Sequence, residues 1–503
     1  MTPPRTKVSL ESGMKTLVSV LFVVFTVFTA HWSALSCFSQ VNKPNILFLF
    51  ADDQTFDTLG VLGHPIVKTP QLDRLCENGV TFSNAHNQGG WHGAICVASR
   101  CMINSGQFIW RARAALEGKH TETPPRDIPL WSERMKEAGY ETYFLGKWHL
   151  EHLNHDVTSV FDHVQAYSPG GMPKPENLPE AYNRPIEGQP DPWSPSDPKF
   201  QGYWGNSGKH RSEIQAETAV DFINQAAKSD KPFFMYIAFN APHDHRQSPQ
   251  EFVDMYPVDQ MDVPPNFLPE YPWKDEIGED AEMRDEKLAP FPRTKYAVQV
   301  HRREYYGIIS HLDAQIGKIL DALEKTGQRD NTYIFYAADN GLAIGSHGIM
   351  GKQNLFEHSV KVPLIVVGPN IPKNIVTTTP VYFQDLMPTS LQIAGVPLDG
   401  IDFKSLLPLI QGESQEQYHA IYGCYVDLQR MVKKGNHKLI LYPVAKKILL
   451  FNLENDPYEM NDLAEKPEYR ELTQSLFSEL LTLQKETGDE LDLKPFFPEF
   501  YGN

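Results

Sequence analysis

Cys96-Val97-Ala98-Ser99-Arg100, closed five residues later by Ser105-Gly106, places a thiol, a hydroxyl and a guanidinium within little more than one helical turn. Taken alone, such a segment is equally what a buried cysteine at the start of a helix leaves in a sequence. Four other groups widen the chemistry: Asp52-Asp53, Lys147-Trp148-His149, Ala241-Pro242-His243 and Asp339-Asn340-Gly341. Asp52, Asp53, Asp339 and Asn340 offer oxygen ligands only, which suits Ca²⁺ or Mg²⁺ better than Zn²⁺. Each group has an ordinary explanation on its own, as a helix cap or a turn. Together they need a common reason.

The elements that must carry them supply one. Asn45 to Phe50 is an unbroken apolar run, as expected for a strand buried on both faces, and it ends at Asp52-Asp53. Thr69-Pro70 opens a helix closed by Gly79, with Thr69 as its cap, and Val80-Thr81-Phe82 follows as a strand. The same alternation recurs in Leu130 to Gly139 before Thr142 to Leu145, and in Ile214 to Ile223 before Phe233 to Phe239. Strands separated by helices predict an α/β fold with a large, mostly parallel sheet sandwiched by helices. Ligands in such sheets collect beyond the carboxyl ends of the strands, and all four polar groups fall at strand exits. From about Gln411 the pattern changes to short strands, Lys438 to Tyr442 and Ile448 to Phe451, and an amphipathic helix from Leu472 to Leu483. This predicts a smaller antiparallel sheet with one helix packed on it.

These segments resemble the type I, formylglycine-dependent sulfatases of the alkaline phosphatase superfamily. The resemblance rests on the cysteine segment and the Asp-Asp strand exit, on Gly146-Lys147-Trp148-His149-Leu150 and on Ala241-Pro242-His243. It continues through the helix around Tyr306, Ser310, Leu312-Asp313 and Ile316-Gly317, then Asp339-Asn340-Gly341, Lys352, Phe356-Glu357 and Val362-Pro363. Leu450 to Glu459 and Asn461-Asp462-Leu463 extend it, so that it spans roughly residues 43 to 490. It implies residues 43–410 as the catalytic domain and 411–503 as a C-terminal subdomain.

The resemblance also implies a chemistry. Cys96 is oxidised to formylglycine (3-oxoalanine) by a maturation enzyme, and the hydrated aldehyde attacks sulfur. Asp52, Asp53, Asp339, Asn340 and the modified Cys96 hold Ca²⁺, with Mg²⁺ second. Arg100, Lys147 and Lys352 clamp the sulfate, His243 protonates the leaving alcohol, and His149 as general base expels sulfate and restores the aldehyde. His347, in Gly345-Ser346-His347-Gly348, either touches substrate or packs in a turn. Gln429 and Arg430 either reach the substrate or form a structural ion pair.

Composition sets the outer limits. A net charge of −17 speaks against a nucleic-acid partner and requires a local cationic pocket for any anionic substrate. The five cysteines, at 37, 76, 96, 101 and 424, are too scattered for a disulfide framework. Lys15, the apolar run from Leu17 to Ala30 and the small residues at Ala34 and Ser36 predict a signal peptide over residues 1–36 and an exported protein. The run is shorter than the ~20 residues a membrane span needs; lipid attachment at Cys37 is the alternative. The long segments Val157 to His210, with Tyr167, Tyr182, Trp193, Tyr203 and Trp204, and Tyr256 to Pro292 suit either sugar contact or loop packing. An exported sulfatase of this kind is expected to act on a sulfated polysaccharide or oligosaccharide. Two other readings stand beside it: a phosphomonoester or phosphonate ester hydrolase of the same superfamily, and a noncatalytic protein that binds sulfated glycans.

The family most often has proline where this chain has Ala98. Ala98→Pro is expected to keep activity or to raise the fraction of converted Cys96, read by peptide mass; a folded but unconverted variant would contradict this.

Overall fold

The structure, a computed structural model, describes residues 1, 2, 4, 43–117, 128–153, 155–166, 178–204 and 208–501. Apart from residues 1, 2 and 4, the expected signal segment lies outside them, as do Cys37 and Tyr167. Among the described residues no helix is long and apolar enough to cross a membrane, and Cys76, Cys96, Cys101 and Cys424 are buried free thiols.

The apolar run becomes the strand Asn45–Ala51, buried at all seven positions. It lies inside an eight-stranded sheet whose spatial order is Ile375–Thr377, Val80–Phe82, Leu364–Val367, Thr332–Ala338, Asn45–Ala51, Phe233–Ala238, Glu141–Gly146 and His163–Ala166. The five strands from Thr332–Ala338 to His163–Ala166 are parallel. Leu364–Val367 departs from the expected pattern, running antiparallel to both of its neighbours. The reason is the connection. The chain leaves Thr332–Ala338 at its carboxyl end and returns through residues 339–363, in which the only helix is the short Glu357–Val360, followed by the two-residue strand Lys361–Val362. Without a crossover helix to carry it to the other end of the sheet, the returning strand must run the opposite way.

Helices flank the sheet. The 31-residue helix Lys295–Lys325 packs on Arg211–Ala226 and Pro70–Glu77, while Ile95–Ser105, Trp131–Glu137 and Leu386–Ala394 pack on one another. Trp131 meets Phe48, Phe234 and Tyr236 with ring centroids 4.9–5.9 Å apart, contacts that add ~0.5–1.5 kcal/mol each beyond area burial. Thr69 does not cap the Pro70–Glu77 helix with its side chain. Its hydroxyl instead bonds Gly60 N (2.9 Å) and Asp73 Oδ1 (3.2 Å). The buried carboxylate of Asp313 takes the capping role, accepting from Gln71 N and Leu72 N at 3.1 and 2.8 Å.

The C-terminal sheet orders Lys447–Asn452, His437–Tyr442, Gln429–Lys434 and Ile421–Tyr425 as antiparallel neighbours, with the helix Arg470–Thr487 beside them. Its fifth strand comes from the other end of the chain. Gly89–Gly90 pairs with Cys424 and Tyr425. Gly89 has φ +88°, and a Cβ there would collide with the Cys424 carbonyl oxygen, so both its conformation and its close approach require glycine.

A buried ionic knot joins this sheet to the main one. Glu357 accepts from Lys433 Nζ (2.7 Å) and Lys438 Nζ (3.0 Å), and Lys438 also pairs with Glu459 (2.8 Å). Burial opposes the Glu357 charge, but Lys433 and Lys438 outweigh it and hold the carboxyl well below the usual range. Removing one member of such a group strands the others. Glu357→Gln is expected to lower stability by ~3–5 kcal/mol, seen as a falling urea midpoint; an unchanged midpoint would show that the lysines find water instead.

Candidate active site

Backbone hydrogen bonds draw the strand exits together. Asp52 N donates to Ala241 O (3.1 Å), Asp339 N to Ala51 O (3.2 Å), and Asp53 N to the Asp339 carboxylate (3.0 Å). Asp53 adopts a left-handed φ of +67°, which aspartate tolerates better than most residues, and the Tyr305 hydroxyl donates to its carbonyl (2.7 Å).

Cys96 sits in the first turn of Ile95–Ser105, and Arg100 follows it on the same face. The Cys96 Sγ lies 3.2 Å from Asp52 Oδ1, 3.6 Å from Asp53 Oδ1, 3.2 Å from Lys352 Nζ and 3.5 Å from Asn340 Nδ2. Each carboxylate has its own cation. Lys147 pairs with Asp52 and Lys352 with Asp53, both in short contacts. Arg100 Nη2 lies 3.0 Å from Asp339 and 3.8 Å from Asp52, and its Nη1 donates to Lys147 O (2.6 Å). His243 Nε2 stands 3.6 Å from Asp53 Oδ2, while Nδ1 lies 2.7 Å from the Asp244 carbonyl oxygen. A carbonyl only accepts, so Nδ1 carries the proton of that bond and Nε2 is left to exchange one.

The charges settle unequally. Burial works against ionised Asp52, yet Lys147, His243, Arg100 and Lys352 hold its carboxyl well below the usual range. Burial, with the charge of Asp52, pushes Asp339 up to about 6 in spite of Arg100. Burial, then the charges of Asp339 and Asp52, push the Cys96 thiol well above its ordinary value. A thiol so held is neutral near pH 7, and the neutral form is neither nucleophile nor metal ligand.

Nine of the residues singled out in the sequence therefore meet: Asp52, Asp53, Cys96, Arg100, Lys147, His243, Asp339, Asn340 and Lys352. His149 lies two residues beyond Lys147, half-buried, with φ +71°. His347 takes the packing alternative. Its ring stacks on Phe356 (centroids 3.8 Å), Nε2 donates to Glu459 O (3.0 Å), and Nδ1 faces His358 Nε2 and Asn266 Nδ2, both at 3.3 Å. Both nitrogens of His347 thus meet protein partners in this structure. Arg430 is an ion pair with Asp489 (2.6 Å). Tyr182, Trp193, Tyr203 and Trp204 are buried; Tyr182 and Trp193 pack against the His245 ring, and the Tyr203 hydroxyl lies 2.6 Å from Asn240 O and 3.1 Å from His243 O, so these aromatics support the segment that carries His243.

Several site residues escaped the sequence reading. Asn87 Nδ2 donates to Asn340 Oδ1 (2.7 Å) and Gln384 Nε2 to Asn87 Oδ1 (3.0 Å), which positions the Asn340 amide. Asp244 holds His243 Nδ1 with its carboxylate as well (3.0 Å); its adjacency to His243 was the available signal. Arg284, from the proline-rich segment Tyr256 to Pro292, reaches within 3.4 Å of His243 Nε2.

Asp52, Asp53, Cys96 and His243 bring one potential ligand atom each to within 4.8 Å of one another, all buried. Three closely set carboxylates with the Asn340 amide beside them fit a hard divalent cation, whose charge would offset the burial and the repulsion from Asp52 that raise Asp339.

The comparisons with known proteins agree with this geometry. The family model described as Sulfatase matches residues 44–396, and one described as N-sulphoglucosamine sulphohydrolase, C-terminal, matches 345–486. The chain belongs to the sulfatase family. It is a sulfuric ester hydrolase on the alkaline phosphatase superfamily fold. This sulfatase is 25% identical to an "Ulvan-active sulfatase" of Formosa agariphila over 92% of this chain and 85% of that one. It is 24% identical to an "N-acetylglucosamine-6-O-sulfatase" of Bacteroides thetaiotaomicron over 90% and 88%. The fold is shared with a protein solved in complex with its substrate D-glucosamine-2-N,6-O-disulfate (TM-score 0.69, 23% identity, 89% of this chain and 99% of that chain). A phosphonate monoester hydrolase of Agrobacterium radiobacter shares it equally (TM-score 0.69, 20% identity, 88% and 96%).

Unconverted Cys96 is expected to resist iodoacetamide at pH 7.5 in the folded sulfatase and to react once urea unfolds it, read by peptide mass. Rapid alkylation of the folded protein would reveal an accessible thiolate.

Proposed function

We propose that this sulfatase is exported and removes sulfate from a carbohydrate, using formylglycine at position 96 and Ca²⁺ held by Asp52, Asp53, Asp339 and Asn340. The observation that carries the reading is the place of Cys96. Its sulfur is buried within hydrogen-bond reach of Asp52 and Lys352, in a setting that silences a thiol. A residue so placed has a role there only if its chemistry changes. Carbohydrate is favoured because relatives named as ulvan-active and as N-acetylglucosamine-6-O-sulfatases align over most of both chains. The proposed organisation is a signal over 1–36, a catalytic domain over 43–410 and a subdomain over 411–503. A formylglycine-generating enzyme is the partner that matures it.

Arg100, Lys147 and Lys352 receive the sulfate oxygens. Their ammonium and guanidinium groups already face the carboxylates that a divalent cation would neutralise, so negative charge growing at sulfur meets preorganised positive charge. A bound Ca²⁺ would supply Lewis acidity and lower the pKa of an oxygen next to it. Formylglycine, as its hydrate, would supply one hydroxyl to attack sulfur and a second whose deprotonation releases sulfate. His243 delivers the proton from Nε2 to the departing alkoxide, with Asp244 fixing the ring through Nδ1. His149 takes the proton of the second hydroxyl.

The phosphonate ester reading keeps one specific support, the shared fold of the phosphonate monoester hydrolase. A panel of sulfated glycans, with aryl sulfate and phosphonate monoesters as controls, separates the two. Sulfate release by protein converted at position 96, abolished in Cys96→Ala, is expected. Turnover of phosphonate but no sulfate ester would establish the alternative, and glycan binding without turnover a noncatalytic protein.

A further inference from the structure

Beyond the cations that face Cys96, one more approaches the site from a different side. Arg284 lies between the short helices Lys274–Ile277 and Glu286–Leu288. One edge of its guanidinium is committed: Nε and Nη2 donate to Asp285 Oδ1 at 2.8 and 2.6 Å, and Nη2 lies 3.3 Å from Asp244 Oδ1. Both carboxylates are buried, and Asp285 is fixed in turn by Gln353 Nε2 (3.0 Å). The group is thus held like a fork in a socket.

The other edge is unused. Nη1 has no protein partner among the described residues, and the side chain is 34% exposed, against 0% for Arg100, 2% for Lys352 and 14% for Lys147. Its position tells what should meet it. Arg284 Nη2 is 3.4 Å from His243 Nε2, the atom assigned above to protonate the leaving oxygen. A group beside that atom borders the departing alcohol, while the sulfate lies deeper among Arg100, Lys147 and Lys352.

We propose that Arg284 is a specificity-determining residue whose Nη1 donates to an uncharged oxygen, a hydroxyl or ring oxygen, of the sugar that carries the ester. An uncharged acceptor fits because Asp244 and Asp285 already neutralise the guanidinium. A carboxylate or second sulfate at this spot would face both of them. The proposal rests on the sulfatase reading and on the role of His243 within it.

The test uses fully converted protein and compares the carbohydrate sulfate released fastest in the panel with 4-nitrophenyl sulfate, whose leaving group has no neighbouring sugar oxygen. Arg284→Lys keeps a cation against Asp244 and Asp285 but loses the forked donor; Arg284→Gln removes the charge as well. The expected result in Arg284→Lys is a rise of tenfold or more in the KM for the carbohydrate relative to that for the aryl sulfate, the scale of one lost charged hydrogen bond. Arg284→Gln should show the same selective rise if it folds. A fall in carbohydrate kcat with both KM values steady would make Arg284 a positioning residue for His243 and overturn the proposal. So would equal changes for both substrates. If converted parent protein releases sulfate from no carbohydrate, the sulfatase reading for glycans fails first and the proposal with it.

Discussion

The site depends on one constraint: carboxylates withdrawn from water at the ends of adjacent strands must each be matched by a cation brought from elsewhere in the chain. Asp52 and Asp53 leave one strand and Asp339 its neighbour, while Lys147, Lys352 and Arg100 arrive from three separate segments. None of these elements can be misplaced without leaving a buried charge alone. The parallel strands supply a common exit, and the helix carrying Cys96 delivers the thiol and Arg100 on one face.

The same rule holds away from the chemistry. Glu357 with Lys433 and Lys438, Arg430 with Asp489, and Arg184 with Glu304 are buried ion pairs that join distant segments. Buried charge of this kind contributes less to net stability than to uniqueness of arrangement, since any wrong pairing costs the full desolvation of both partners. The Glu357 group ties the small sheet to the segment that leads into Leu364–Val367 of the large one.

Most of the fold could be read where local pattern decides structure. The apolar run at Asn45 needs both faces covered, and the strand exits mark where a ligand collects. Other features depend on partners far away in sequence. The reversed direction of Leu364–Val367 follows from a connection lacking a crossover helix, which no residue of that strand announces. Thr69 looks like a cap, but Asp313, some 240 residues later, displaces it. Asn340 was legible as a site residue, whereas Asn87 and Gln384, which orient it, carry no local motif. His347 sits in a glycine-rich turn of the kind that also lines pockets, and only the Phe356 ring and the Glu459 carbonyl place it in the packing.

The pairing of Gly89–Gly90 with Ile421–Tyr425 bears on timing as well as on shape. The strand that leads into the Cys96 helix waits for a partner made about 330 residues later. At ~5–20 residues per second that is an interval on the order of 20–70 s of translation. Lys352, which the thiol also meets, emerges well after residue 96, and the Lys433 and Lys438 clasp later still. Throughout this interval the segment around Cys96 is an incomplete structure, open to any enzyme that must read it as extended chain. Once the C-terminal sheet closes on Gly89–Gly90, that opportunity ends.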